Sequence, residues 1–304
     1  MDRIRVIPLG TSAGTPTRER NLASYAIALD GHLLLVDCGE GTQHQLMKSQ
    51  ARSGQLEAIF ITHLHGDHLY GLPGLLATLG MQGRQEPLPI YGPPGIDRYL
   101  NATIQATHLW IDFTLEIQTI EPGNIRAVAG YRVAASALDH RVETFGFAIV
   151  EDDRPGKFDV IRAIELGVPE GPLYAKLQGG ENVTLPNGVA VKSADVVGPK
   201  RTGRRVVYCT DTRPCSNAVD LARGADLLIH ESTYDESLID EARERGHSTA
   251  RQAATIALQA GAKRLLLTHF SPRYAGGDVS LLVREAQDIF AHAEAAEELR
   301  EIEL

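Results

Sequence analysis

Leu56-Glu-Ala-Ile-Phe-Ile-Thr-His-Leu-His-Gly-Asp-His68 is an apolar run that ends in three histidines and an aspartate. A short run of this composition, closed by a glycine turn, reads as a strand. A strand that stops at a tight turn aims several imidazoles and a carboxylate at one point, and neutral imidazole with carboxylate suits zinc. A lone His-x-His pair on a strand is an ordinary surface feature; the full H-x-H-x-D-H string is most of a metal site and leaves donors for a second ion.

Outward from that string, short β-branched runs at 4–9, 26–29, 33–36, 58–61, 89–91, 206–209 and 265–267 alternate with helical patterns. The helices are expected at 41–53, 71–81, 96–107, 217–223, 237–245, 250–259 and 281–298. The alternation is that of an α/β fold. Thr249-x-x-Gln252 reads as a capping box, and Gly246 and Gly261 stand where helix C-terminal glycines belong. Residues 1–304 are expected to form a single domain, interrupted at 152–191 by a stretch rich in glycine and proline. So long an irregular stretch is either an inserted arm or an extended surface loop.

Bulk properties narrow the function. The 43% of hydrophobic residues furnishes a sizeable core, and no apolar stretch approaches the roughly 20 residues that span a bilayer. Met1-Asp-Arg-Ile-Arg-Val enters a strand-like run without a signal-peptide pattern, so a cytoplasmic location and no membrane partner are expected. Cys38, Cys209 and Cys215 lack C-x-x-C spacing, which suggests neither a disulfide framework nor a thiolate metal site. A formal charge of −9 excludes coating of nucleic acid by overall electrostatics. Any polyanion must be held locally, and divalent cations supply positive charge at such a point.

Open α/β sheets gather their sites at the carboxyl ends of strands, and three further segments end there in a donor. Val133-Ala-Ala-Ser-Ala-Leu-Asp-His140, Val206-Val-Tyr-Cys-Thr-Asp211 and Leu265-Leu-Leu-Thr-His269 supply two histidines and an aspartate. Together with the opening string they resemble the metallo-β-lactamase superfamily, whose αββα four-layer sandwich carries two zinc ions at its edge. The resemblance implies that His63, His65 and His140 hold one zinc, that Asp67, His68 and His269 hold the second, and that Asp211 bridges them. Two metals roughly 3.5–4 Å apart activate water and clamp the oxygens of an in-line displacement. Manganese, iron or another divalent metal also suits a His/Asp set.

Other blocks narrow the family. Pro16-Thr-Arg-Glu-Arg-Asn21 is similar to the P-x-K/R-x-R-N loop of the ribonuclease Z family of tRNA 3′-processing endonucleases. Asp37-Cys-Gly-Glu-Gly-Thr-Gln43, Gly71-Leu-Pro-Gly-Leu-Leu76, Tyr91-Gly-Pro-Pro-Gly95, Asp211-Thr-Arg-Pro-Cys215, His230-Glu-Ser-Thr-Tyr234 and Gly246-His-Ser-Thr249 resemble further segments of that family, in the same order. The resemblance implies a zinc-dependent endoribonuclease that removes the 3′ trailer from precursor tRNA, leaving a 3′-hydroxyl on the tRNA and a 5′-phosphate on the trailer. It implies two Zn2+ per subunit, a homodimer, and a flexible inserted arm, with Gly171 and Pro172, that grips the tRNA elbow.

By the same resemblance Asp67 is the general base. His247, at an expected helix start where backbone N–H groups favour phosphate, is the general acid, and Glu231 orients it. Arg18, Arg20, Asn21, Ser248 and Thr249 are expected to contact substrate. The arm is not basic: residues 151–181 carry four cations and seven acids, so RNA shape would have to be read. Lys192, Lys200, Arg201, Arg204 and Arg205 follow just beyond. His32, His44, His108, His230 and His292 have no supporting spacing and are read as structural, His230 as a support of the site. Two alternatives stay open: another phosphodiesterase or arylsulfatase-like hydrolase of the same fold, which needs neither the arm nor the P-x-R-x-R-N loop, and a non-catalytic RNA-binding relative, against which the complete donor set speaks.

Overall fold

Strands rich in Val, Ile and Leu that are buried on both faces need helices to cover one of them, and the chain supplies helices in alternation. The computed structural model describes residues 4–128, 130–274, 276 and 278–304, so the first three residues of the N-terminal run lie outside the described residues. β1 (Ile4–Gly10), β2 (Ser24–Leu29) and β3 (His32–Val36) form an antiparallel meander. β4 (Leu56–Phe60), β5 (Leu88–Gly92) and β6 (Leu115–Thr119) then add in parallel. Parallel neighbours require crossovers, which α1 (Thr42–Lys48), α2 (Leu72–Met81) and α3 (Ile96–Thr107) provide.

The second sheet starts with the hairpin β7 (Gly123–Val128) and β8 (Tyr131–Ala137), followed by β9 (Phe145–Glu151). Residues Val150–Arg204 then form a compact unit of their own, inside which the expected 152–191 stretch falls. That unit holds α4 (Val160–Glu165), α5 (Pro172–Gln178) and the short pair β10 (Val183–Thr184) and β11 (Ala190–Val191). Ala163, Val168, Leu177, Val183, Leu185, Val191 and Val196 make its small core. Arg204 closes on Glu151 through Nε and Nη2, each 2.8 Å from a carboxylate oxygen.

After the insertion the sheet resumes with β12 (Arg205–Cys209), α6 (Ser216–Ala222), β13 (Leu227–Glu231), α7 (Ile239–Arg245), α8 (Ala250–Ala260), β14 (Leu265–Thr268), α9 (Ser280–Gln287) and β15 (Ala293–Ala295). The spatial order is β15-β14-β13-β12-β9-β8-β7, and β16 (Ile302–Glu303) returns to pair with β1. Between the two sheets lies a core that includes Tyr25, Leu34, Phe60, Phe147, Tyr208 and Ile229. Ile7, Leu35 and Ile59, on the opposite face of the first sheet, pack against Leu72, Leu76 and Leu100 of its helices. α8 covers the second sheet with Ala250, Ala253, Ala254 and Ala257, a spacing that puts small side chains on one face and lets the helix approach β13 and β14 closely. The result is four layers, α/β/β/α. Among the described residues no helix is long and apolar enough to cross a membrane.

Two expected helices are shortened. The pattern over 41–53 yields α1 only to Lys48, with a separate turn at Ser53–Gln55. The helix expected over 281–298 ends at Gln287, and Ala293–Ala295 pair in parallel with β14. Edge pairing to an existing sheet outweighs the helix propensity of alanine there.

Candidate metal centre

Beyond β4 the chain stays extended, because Ile61 N–H donates to Tyr91 O at 2.8 Å. Alternation then sends His63 and His65 to one side and Leu64 to the other. A 3-10 turn at Gly66–His68 swings Asp67 and His68 into the same region. His140 follows β8, Asp211 follows β12 and His269 follows β14. Asp211 and His269 have left-handed backbones, φ 50° and 58°. Non-glycine residues held there store about 1–3 kcal/mol each and cluster at functional sites.

All seven expected donors converge. His63, His65, His140 and Asp211 offer atoms within 4.8 Å of one another, and so do Asp67, His68 and His269. The two oxygens of Asp211 divide between these sets. Oδ2 lies 3.5 Å from His63 Nε2 and 3.8 Å from His140 Nε2, whereas Oδ1 lies 3.2 Å from His68 Nε2 and 3.1 Å from His269 Nε2. His247 also comes close to Asp211 and His269.

Partners behind the rings fix which nitrogen faces inward. His63 Nδ1 meets Thr62 Oγ1 at 3.0 Å, His68 Nδ1 meets Asp37 Oδ2 at 2.7 Å, His140 Nδ1 meets Gly246 O at 2.7 Å and His269 Nδ1 meets Thr233 Oγ1 at 3.1 Å. A ring that donates from Nδ1 presents the Nε2 lone pair to the interior, the usual arrangement of a metal-binding histidine. Gly246 is required at its place: its φ is 84°, and a Cβ there would lie 2.7 Å from His140 Nδ1.

The electrostatics fit a cation. Burial pushes the His63, His65 and His140 imidazoles below their usual pKa, which keeps them neutral and able to ligate. Burial also opposes charge on Asp67 and Asp211, yet the surrounding histidines hold both carboxyls well below the usual range. His68 moves up, since Asp211, Asp37 and Asp67 outweigh its own burial. His140 Nε2 is buried with no hydrogen-bond partner among the described residues, and His68 Nε2 faces His269 Nε2 at 3.3 Å. Buried acceptors crowded around ionised carboxylates are costly unless a cation takes them. The donor set therefore fits divalent metal.

The floor of a cleft of about 330 Å³ is formed by Asp67, His65, His140, Asp211 and His269, with His247 and Tyr234 on its wall and Arg141, Arg245 and Arg273 around it. His247 Nδ1 is 2.9 Å from Glu231 Oε1. Burial works against charge on His247, but Glu231 and then Asp211 raise it to about 9. Glu231 is fully buried; Oε1 also accepts from Thr212 N–H at 2.7 Å, and Oε2 from Thr233 Oγ1–H at 2.5 Å and Ser248 N–H at 3.1 Å.

The residues expected at the substrate scatter. Ser248 and Thr249 are buried, with Ser248 Oγ donating to Thr212 O at 2.6 Å and Thr249 Oγ1 donating to Glu236 at 2.7 Å while capping α8, so their hydroxyls are used inside the fold. Arg20 is buried too, donating to Tyr274 O at 3.0 Å and lying over the Phe270 ring; Asn21 bonds to Glu298. Only Arg18 of that motif's cations is exposed. Gly171 and Pro172 start α5 in the Val150–Arg204 unit and are exposed. His230 lies outside the donor sets, its Nδ1 on Glu231 O at 2.8 Å.

Sequence reasoning gave no role to Asp37, Thr233 or Tyr208. Asp37, at φ 57°, accepts from Thr62 N–H and Oγ1–H as well as from His68 and the Tyr208 hydroxyl. The Asp37-Cys-Gly-Glu block was a signal for the first and the His230-Glu-Ser-Thr-Tyr234 block for the second; Tyr208 carries none.

Comparison with known proteins agrees with this geometry. The profile described as Beta-lactamase superfamily domain matches residues 173–270, and that described as Anti-Pycsar protein Apyc1 matches residues 4–148. A protein named Ribonuclease Z from Acaryochloris marina is 48% identical over 95% of this chain and 93% of its own length. The chain belongs to the ribonuclease Z family. A second member, from a Cyanothece species, is 46% identical over 97% of this chain and 94% of its own. The crystal structure of the short form of human tRNase Z superposes with a TM-score of 0.69 at 32% identity, covering 98% of both chains. The Bacillus subtilis metallo-β-lactamase fold protein YhfI, 21% identical with a TM-score of 0.71 over the whole of both chains, shares the ribonuclease Z fold.

Proposed function

We infer that this protein is a zinc-dependent endoribonuclease that removes the 3′ trailer from precursor tRNA, acting in the cytoplasm as a homodimer. One observation carries the chemistry: Asp211 splits its two oxygens between two donor sets at the floor of an open cleft. His63, His65 and His140 would hold one zinc, Asp67, His68 and His269 the other, and Asp211 both. Bound there, the two ions activate water and neutralise charge that builds on the phosphate oxygens.

The chain's own groups handle the protons. Asp67 orients the attacking water and takes a proton from it. Burial opposes charge on His247, but Glu231 and Asp211 outweigh it and raise its pKa to about 9, so the ring is an imidazolium at neutral pH and carries the proton that a general acid must supply. It donates that proton to the departing 3′ oxygen of the tRNA, so the P–O bond breaks to a 3′-hydroxyl and the water oxygen remains on the trailer as part of its 5′-phosphate. Glu231 keeps the His247 ring in place. Ser248 and Thr249 support that loop from inside, and Arg18, with Arg141 at the cleft, offers cations to flanking phosphates. The arm, with Gly171 and Pro172, grips the tRNA elbow.

The test is incubation of zinc-loaded protein with an unprocessed tRNA transcript and mapping of both ends at the cut. A single cut after the discriminator nucleotide, with a 3′-hydroxyl and a 5′-phosphate, is expected. Cleavage of small diesters alone would replace this reading with the small-molecule phosphodiesterase.

A further inference from the structure

Glu298 lies in the turn after β15, outside both donor sets. Its half-buried carboxylate accepts five hydrogen bonds. Oε1 takes Thr11 N–H at 3.1 Å, Thr11 Oγ1–H at 3.3 Å and Asn21 N–H at 2.7 Å; Oε2 takes Asn21 Nδ2 at 2.7 Å and Gln45 Nε2 at 2.9 Å. The next residue, Leu299, has a left-handed φ of 65° and donates from N–H to Pro8 O at 2.8 Å.

These donors sit at the two feet of the loop between β1 and β2 and on α1. Thr11 and Ser12 N–H both reach Asn21 O, at 3.0 and 2.9 Å, which closes the base of the loop. Further out, Ala13 N–H donates to Phe270 O at 3.0 Å and Phe270 N–H donates to Thr11 O at 2.8 Å, so the loop brackets the residue that follows His269. At its tip Gly14 N–H donates to Asp67 Oδ2 at 2.8 Å.

We propose that Glu298 is a positioning residue that, through the Thr11–Asn21 loop, holds Asp67 and His269 in register. This rests on the reading of those two as donors to one metal. The carboxylate is needed because both of its oxygens face donors. In Glu298→Gln the new N–H2 points at Asn21 Nδ2 and Gln45 Nε2, and Gln45 cannot turn its oxygen inward because its Nε2 also donates to Leu9 O at 3.0 Å. The loop base then opens, and the Gly14 N–H moves away from Asp67.

The experiment compares wild type, Glu298→Gln and, as a control for general destabilisation of the same C-terminal segment, Ile302→Ala in the buried core. Zinc retained per chain is measured after dialysis against graded chelator, beside kcat and KM on precursor tRNA. Expected for Glu298→Gln is zinc retention falling from two ions toward one and kcat falling about 10- to 100-fold, the scale seen when a supporting partner of a metal ligand is lost, with KM little changed; Ile302→Ala keeps both ions and wild-type kcat per folded chain. Retention and kcat equal to wild type in Glu298→Gln, or equal losses in the two variants, overturn the proposal. Wild-type protein that retains no zinc overturns the metal reading itself and this proposal with it.

Discussion

The donor cleft and the Val150–Arg204 unit are built on opposite principles. At the cleft, side chains are buried or half-buried and four rings have a partner behind them: Asp37 for His68, Thr233 for His269, Gly246 for His140, Glu231 for His247. The Val150–Arg204 unit has a small core and leaves Ile161 73% and Ile164 63% exposed on α4, with acids outnumbering cations over 151–181. Chemistry needs donors held to fractions of an ångström, and buried partners provide that. In the proposed reading that unit grips a folded RNA, a task in which shape is read rather than single donors placed.

If that contrast holds, changes at the cleft act on turnover and changes in the insert act on binding. The largest effect is expected for Asp211→Ala, which removes the one donor common to both sets: several kcal/mol of charge stabilisation lost is about 10³-fold or more in kcat, read by single-turnover cleavage of precursor tRNA. His247→Ala should lower kcat by about 10²-fold with KM nearly constant; unchanged turnover removes it from the proton transfer. Asp37→Asn keeps the shape behind His68 but loses the charge, and should weaken zinc retention or activity by about 10- to 100-fold, measured by chelator competition. Deleting 156–186 should raise KM for precursor tRNA while bis-p-nitrophenyl phosphate is still hydrolysed at the wild-type rate. Equal loss on both substrates would make the insert a folding element and dissolve the contrast. Smallest is Arg162→Ala, which breaks an exposed pair with Glu165 on α4 and should change thermal stability by less than about 1 kcal/mol.

The same contrast governs what the sequence reveals. Metal donors sit at strand ends, so H-x-H-x-D-H and single donors after β-runs announce themselves by spacing, and all seven meet in the structure. Their supports do not, because Asp37 and Thr233 are brought to the rings by sheet register rather than by distance along the chain, and Glu231 behind His247 is read only from its family block. Position near a motif also misleads. Ser248, Thr249, Arg20 and Asn21 lie in motif segments, yet their polar atoms bond within the fold, and only tertiary burial tells such a residue from one that faces a ligand. The helix read over 281–298 stops at Gln287 for a related reason: the alanines at 293 and 295 are recruited to an edge strand that the local pattern does not contain.

In the proposed mechanism Asp211 is divided between two metals. Anomalous diffraction at the zinc edge from crystals of zinc-loaded protein tests it most directly. The prediction is two peaks per chain, one among His63, His65 and His140 on the Oδ2 side of Asp211 and one among Asp67, His68 and His269 on the Oδ1 side. A single peak, or peaks away from Asp211, would contradict it.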